Sequence, residues 1–401
     1  MGIFKQSIAS DKEKQLPYLC YMAATMCIGI RTYTKLQSYF ESPKAFFEAG
    51  NEKLEKTGIF TKTQLKRFSD CRSVITPQKE LEKLKEGGMC VVSCDEDLYP
   101  EKLRNIKDMP PFLFYKGKLP KSDFPTASVI GARECTPYGA NVAKKLGELF
   151  AKNNVAVVSG MARGIDSIAQ SAAVDAGGNS YAFLGGGPDI IYPPQARNLY
   201  ENLVKSGGVI SEFPPGTAPL PQYFAMRNRL IAGLSDVVCV VEAKEKSGTL
   251  ITVDCALDQG REVYAVPGRV TDITSFGTNE LIRQGAGVIS DPERFVEEFA
   301  SHFNIPESTL RKMPKEEICD FSDISEPEKE MILACEDNSF TADEISNRLS
   351  HAFSEVISMC LLLCKKGYME NIGAGRFMLT GKGNEARTLL VERPEESAIL
   401  I

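Results

Sequence analysis

Histidine is scarce in this chain. Only His302 and His351 occur among 401 residues, which weakens any Ser–His or Cys–His nucleophile scheme. No Cys-x-x-Cys pair exists among the 12 cysteines, although Cys90/Cys94 and Cys360/Cys364 each have three residues between them. Several cysteines sit in apolar runs, such as Cys239 in Val-Val-Cys-Val-Val. Buried, reduced thiols are therefore expected, with neither a zinc site nor a disulfide framework. No apolar run reaches the ~20 residues of a membrane span, and no N-terminal apolar segment carries a cleavage site. A cytoplasmic protein without a membrane partner is expected. An excess of positive charge is also lacking, since the net charge is −6. Proteins that coat nucleic acid non-specifically are usually basic, so a nucleic-acid site here must be a local basic patch on an acidic body. There is no Walker A pattern. Gly131-Ala132-Arg133 lacks the remainder of a Gly-x-Gly-x-x-Gly fingerprint, so NAD is not expected, and no cofactor is assigned.

What is present is a globular composition, 43% hydrophobic and 25% charged, on a chain too long for one ordinary core. The text divides into five stretches. Residues 1–75 read as a small helical domain behind a polar, loose first fifteen residues. Ile28-Gly29-Ile30-Arg31 resembles half of a helix-hairpin-helix DNA module but lacks the second glycine, which favours a packing domain over a DNA reader. Residues 76–303 form the main α/β domain, 304–325 a linker, 326–381 a winged-helix-like domain and 382–401 a tail with an apolar end.

In the main domain, strands and helices alternate. Strands are expected at Ala127–Gly131, Val155–Ser159, Asn179–Leu184, Gly208–Glu212, Val237–Glu242, Glu262–Val266 and Gly287–Ile289. Amphipathic helices fall between them, including Tyr138–Lys152, Ile165–Ala176 and Thr249–Asp258. Continuous Val/Ile-rich strands separated by helices imply a mostly parallel, Rossmann-like sheet covered on both faces. Such sheets bind ligands at the carboxyl ends of their strands. In the final domain, Thr341 and Glu344 match a capping box. Its third helix, Phe353–Lys366, carries Glu355 and leucines rather than a row of arginines. It therefore serves as an interaction or dimerisation module at least as readily as a DNA reader.

Small-residue loops follow almost every strand: Gly131-Ala132-Arg133, Ser159 to Asp166, Gly185-Gly186-Gly187-Pro188, Lys244 to Thr249 and Pro267-Gly268-Arg269. Glycines let a backbone approach a ligand and direct N–H groups at it. Their convergence on one sheet edge would gather Arg133, Arg163, Arg227, Arg229, Lys244, Lys246 and Arg269. The helix beginning near Gln222 adds a conflict between its faces. Leu230, Ile231 and Leu234 recur at helical spacing and can be buried, whereas Phe224, Arg227, Asn228 and Arg229 crowd the entrance with an aromatic ring, two guanidiniums and an amide. Arginines at a helix N-terminus suggest a phosphate-bearing partner. Ser247-Gly248-Thr249 reads either as an anion site or as a plain cap. Asp166 reads as a catalytic acid or, more simply, as a cap that orients Arg163.

The segments Ser128–Arg133, Ser159–Asp166, Phe224–Ser235, Val241–Thr249 and Val266–Gly268, in this order, resemble the DNA-processing protein A family (DprA, also called Smf) over roughly residues 90–300. The resemblance implies an extended Rossmann fold that binds and shields single-stranded DNA and helps load the RecA recombinase during natural transformation. It also implies a non-enzymatic homodimer. Carried onto matching positions, the DNA pocket would comprise Arg133, Arg163, Phe224, Arg227, Asn228, Arg229, Lys246, Ser247 and Gly248. A positive groove with an aromatic platform suits a single strand, and Phe224 or Tyr223 would stack on bases. Asn228 would line the pocket or buttress its loop. The alternative is a nucleoside-monophosphate phosphoribohydrolase. That reading needs Pro-Gly-Gly-x-Gly-Thr-x-x-Glu, and here Gly248-Thr249 is followed by Thr252 at the glutamate offset.

Overall fold

The computed structural model describes residues 2–121, 124–303, 323–335, 340–373 and 375–392. The chain forms two compact units, Met1–Arg311 and Lys312–Ile401. The first is built on a nine-stranded sheet. Its strands are β1 (Cys90–Ser93), β2 (Phe112–Gly117), β3 (Thr126–Ile130), β4 (Ala156–Ser159), β5 (Ser180–Phe183), β6 (Gly208–Ser211), β7 (Val237–Val240), β8 (Glu262–Ala265) and β9 (Gly287–Val288). Their spatial order is β1-β2-β6-β5-β4-β3-β7-β8-β9. From β6 to β9 all pairs are parallel, and only β2, antiparallel to both β1 and β6, runs the other way near one edge. The seven strands expected from sequence in the alternating region are all present, each within two residues of its expected ends.

Alternation along the central strands sorts the core into two layers. Ala127 and Val129 of β3 face one way, with Val237 and Cys239 of β7, onto Leu146 and Phe150 of helix Pro137–Lys152 and Ala169 of helix Ile165–Asp175. Ile130, Val158, Val238 and Val240 join the opposite layer, with Leu230, Ile231 and Leu234 of helix Pro221–Leu234 and Val253 and Ala256 of helix Gly248–Asp258. Burying each of those large aliphatic side chains contributes roughly 1.5–3 kcal/mol, which fixes the rotation of helix Pro221–Leu234 and hence the direction of its other residues.

The N-terminal helices share a core with the sheet edge. Tyr21, Phe40, Phe46 and Phe68 cluster with Phe112 and Phe114 of β2. Gly29 precedes helix Ile30–Tyr39 as its cap, and Tyr33 packs edge-on against Phe112. The expectation of a loose N-terminus is corrected, because helix Gly2–Ala24 includes those residues. No helix among the described residues is long and apolar enough to cross a membrane.

In the second unit, helices Glu326–Ala334, Ala342–Leu349 and Phe353–Lys365 accompany β10 (Phe340–Thr341), β11 (Met369–Gly373) and β12 (Arg376–Leu379), paired in the order β10-β12-β11. The Thr341–Glu344 capping box forms. Helix Phe353–Lys365 buries Val356, Cys360 and Leu363 and exposes Leu361 and Leu362. The expected tail at 382–401 is corrected in part, because helix Gly381–Glu392 buries Ala386 in this unit's core. Most of the expected linker, residues 304–322, lies outside the described residues.

Candidate nucleic-acid interface

Strand order reverses between β3 and β7. The chain builds outward from β3 through β4, β5 and β6, and from β7 through β8 and β9. Loops leaving the carboxyl ends of these two neighbours diverge and open a crevice. The crevice walls are tied together. Glu242, only 2% exposed, accepts hydrogen bonds from Thr136 N at 2.9 Å, Thr136 Oγ1 at 2.5 Å and Thr274 Oγ1 at 3.4 Å. It thereby joins the loops after β3, β7 and β8. Thr249 Oγ1 donates to Gly131 O at 3.2 Å, and Tyr138 Oη to Pro267 O at 3.0 Å. Gly164, at φ +86°, lies so close to the β3 loop that a Cβ would sit 2.3 Å from Ala132 O. Both its conformation and its contacts therefore exclude a side chain.

The expected site residues divide into two groups. Arg133 and Lys246 are exposed. The Arg133 guanidinium lies 5.8 Å from the centre of the Phe224 ring, within cation–π range. Arg163 is also exposed and donates to Arg133 O at 3.2 Å while pairing with Glu134 at 2.6 Å. Exposed pairs of this kind are worth ~0–1 kcal/mol, so a phosphate can compete with Glu134 for Arg163. Gly248 opens its helix at the crevice, and a Cβ there would meet nothing within 4 Å. Ser247 acts as the cap, accepting from Thr249 N at 3.2 Å. Lys244 and Arg269 are exposed on the same set of loops.

The other group is buried or half-buried. Arg227 is 4% exposed and is corrected from a surface phosphate ligand to an internal strut. Its Nη1 donates to Gly160 O at 2.9 Å and to Phe183 O, tying the loop after β4 to the end of β5. Burial pulls this guanidinium down to about 10, opposed by the nearby charge of Asp166. Asp166 is buried as well. Burial pushes its carboxyl up, opposed by Arg227 and by a hydrogen bond from Gly160 N at 3.1 Å. Asp166 therefore faces Arg227 and the β4 loop rather than orienting Arg163. Arg229 is half-buried and already held by other groups of the chain. It forms a two-pronged pair with Glu212, both contacts at 2.7 Å, and donates to Asp108 O at 3.1 Å. Asn228 Oδ1 accepts from Arg227 Nε at 3.3 Å, a buttressing contact.

Of the two aromatic candidates, Tyr223 packs against Phe213 with ring centres 4.2 Å apart. Phe224 faces the crevice, half-buried, beside a ring that sequence reasoning passed over. Tyr192 lies 5.3 Å from it at 38° and is 45% exposed. The available signal was an aromatic residue just before Pro193-Pro194 in a loop at a strand's carboxyl end. The crevice thus offers exposed cations, an aromatic pair and an open helix N-terminus, a set suited to a phosphate-linked chain of bases.

Residues 90–300 match the family model described as DNA recombination-mediator protein A. The chain belongs to this family. Protein Smf of Escherichia coli is 33% identical over 344 residues, covering 84% of this chain and 89% of that protein. The X-ray structure of DNA processing protein A from Streptococcus pneumoniae superposes with a TM-score of 0.60 at 31% identity, covering 72% of this chain and 99% of that one. A second solved structure concerns the single-stranded DNA binding mode of DNA processing protein A from Helicobacter pylori. It matches with a TM-score of 0.50 at 29% identity, covering 54% of this chain and 97% of that one. The family match spans β1 to β9 and every loop of the crevice.

Proposed function

We propose that this chain binds single-stranded DNA in the crevice between the β3 and β7 loops, shields it, and helps load a RecA recombinase during natural transformation. It acts as a homodimer and without catalysis. The observation that carries the reading is the exposed Arg133 guanidinium set over an aromatic ring beside the open N-terminus of helix Gly248–Asp258. The Helicobacter pylori relative, whose structure concerns single-stranded DNA binding, supports it. Against a phosphoribohydrolase, the required glutamate position holds Thr252, which is buried, and Asp254 is exposed on the same helix.

A salt titration of binding to single- and double-stranded DNA tests the proposal. With about four phosphate contacts, log K against log salt should fall with a slope near −3 for single strands. Equal affinity for duplex and single strand, or no salt dependence, would sink it. Release of free base from a nucleoside monophosphate by the purified protein would replace it with the enzyme. The recombinase step is tested by filament assembly on protein-coated strands, and the dimer by sedimentation. No acceleration of assembly, or a monomer at micromolar concentration, would remove those parts.

A further inference from the structure

We infer that Tyr192 is the residue on which a DNA base stacks, and that Phe224 is its support rather than the platform itself. The inference rests on the single-strand reading above and names the nucleobase subsite within it. Phe224 already has neighbours on several sides. A Cβ on Gly185 would fall 2.6 Å from Phe224 Cδ1, so the ring lies directly on that glycine's backbone. Arg133 sits 5.8 Å from its centre, and Tyr192 leans on it at 5.3 Å. Tyr192, in contrast, has Phe224 as its one ring neighbour among the described residues, leaves 45% of its surface in solvent, and makes no hydrogen bond there through its hydroxyl. An exposed aromatic ring held at a fixed tilt by a second ring is a preformed stacking surface. Tyr192 and the Arg133 guanidinium both meet the Phe224 ring, so a strand that stacks a base on Tyr192 passes close to that guanidinium. Bases inside a duplex have both faces covered by their neighbours, so this subsite favours single strands over duplex.

The chain has no tryptophan, which makes the test direct. In Tyr192→Trp the introduced indole is the sole tryptophan, and its fluorescence reports whether a base lies on it. Oligothymidylate should quench it. An abasic oligomer of equal length, bound through phosphates alone and followed by anisotropy, should not. Tyr192→Ala should raise Kd for oligothymidylate roughly 5- to 150-fold with the salt slope unchanged, because no phosphate contact is lost. Tyr192→Phe should bind within about twofold of wild type, since the stacking face remains. Phe224→Leu, which keeps an apolar support, should lose much less than Tyr192→Ala. An unquenched indole in a DNA-bound protein, or full affinity in Tyr192→Ala, overturns the assignment of Tyr192 and leaves DNA binding intact. Failure of the wild-type chain to bind oligothymidylate overturns both. A large loss in Phe224→Leu with none in Tyr192→Ala returns the platform to Phe224.

Discussion

Replacing Arg227 by methionine separates a structural strut from a phosphate ligand. Methionine keeps much of the apolar volume but removes the charge and the hydrogen bonds to Gly160 O, Phe183 O and Asn228 Oδ1. Gly160 O and Phe183 O then lose their donor. Charge-assisted bonds of this kind contribute ~1.5–3 kcal/mol each. Asp166 also loses the charge that opposes its burial. Removing one member of a buried charge arrangement costs ~3–5 kcal/mol, a large fraction of the ~5–15 kcal/mol that holds a domain folded. For the unit Met1–Arg311 that corresponds to a Tm lowered by about 5–8 °C, read by thermal unfolding followed by circular dichroism. The effect should depend on pH. Burial already raises Asp166 above its ordinary value, and without Arg227 it rises further. The folded variant then holds a proton that the unfolded chain releases above pH ~3.9. That contribution is fully present below that pH and is lost as pH rises through the raised folded value; the wild type loses its own smaller share in parallel, so the gap should widen only above the wild-type Asp166 value, which itself lies above ~3.9. Adding Asp166→Asn should recover part of the loss by removing the uncompensated charge. A Tm within about 1 °C of wild type, together with a shallower salt slope for single-stranded DNA, would refute the strut and restore Arg227 as a phosphate contact.

Arg133→Ala and Lys246→Ala should each weaken single-strand binding and make the salt slope shallower by about 0.7, with Tm unchanged, as measured by anisotropy titration. Arg229→Ala breaks the pair with Glu212 and should lower Tm by roughly 2–5 °C while leaving the salt slope at the wild-type value. Gly160→Ala would place a Cβ 2.6 Å from the Arg227 guanidinium nitrogens, and denaturant unfolding should show a loss of ~1–3 kcal/mol. A chain ending at residue 311 keeps the whole crevice and should retain most single-strand binding; a folded truncation that binds nothing would make the second unit the reader.

Most of the sheet was legible because its signal is local. Runs such as Ala127–Ile130 and Val237–Val240 are buried on both faces, so their composition alone marks them as parallel strands. The start of the first helix was not legible, because the opening residues are polar; only from Leu16 onward does an apolar face show. Helix Gly381–Glu392 was obscured by Gly381 and Gly383 at its start. The sequence by itself determined the family, the strand order of appearance, and that cations and glycines collect after the strands. It did not determine which cations reach solvent. Arg227 and Arg229 lie two residues apart on one helix and both look like phosphate ligands. Burial of Leu230, Ile231 and Leu234 fixes that helix's rotation and turns Arg227 beneath Gly160 and Arg229 toward Glu212. The fate of a guanidinium depends on which carbonyls and carboxylates meet it from distant parts of the chain. Only the tertiary structure brings those together, as it brings both Tyr192 and Arg133 to Phe224.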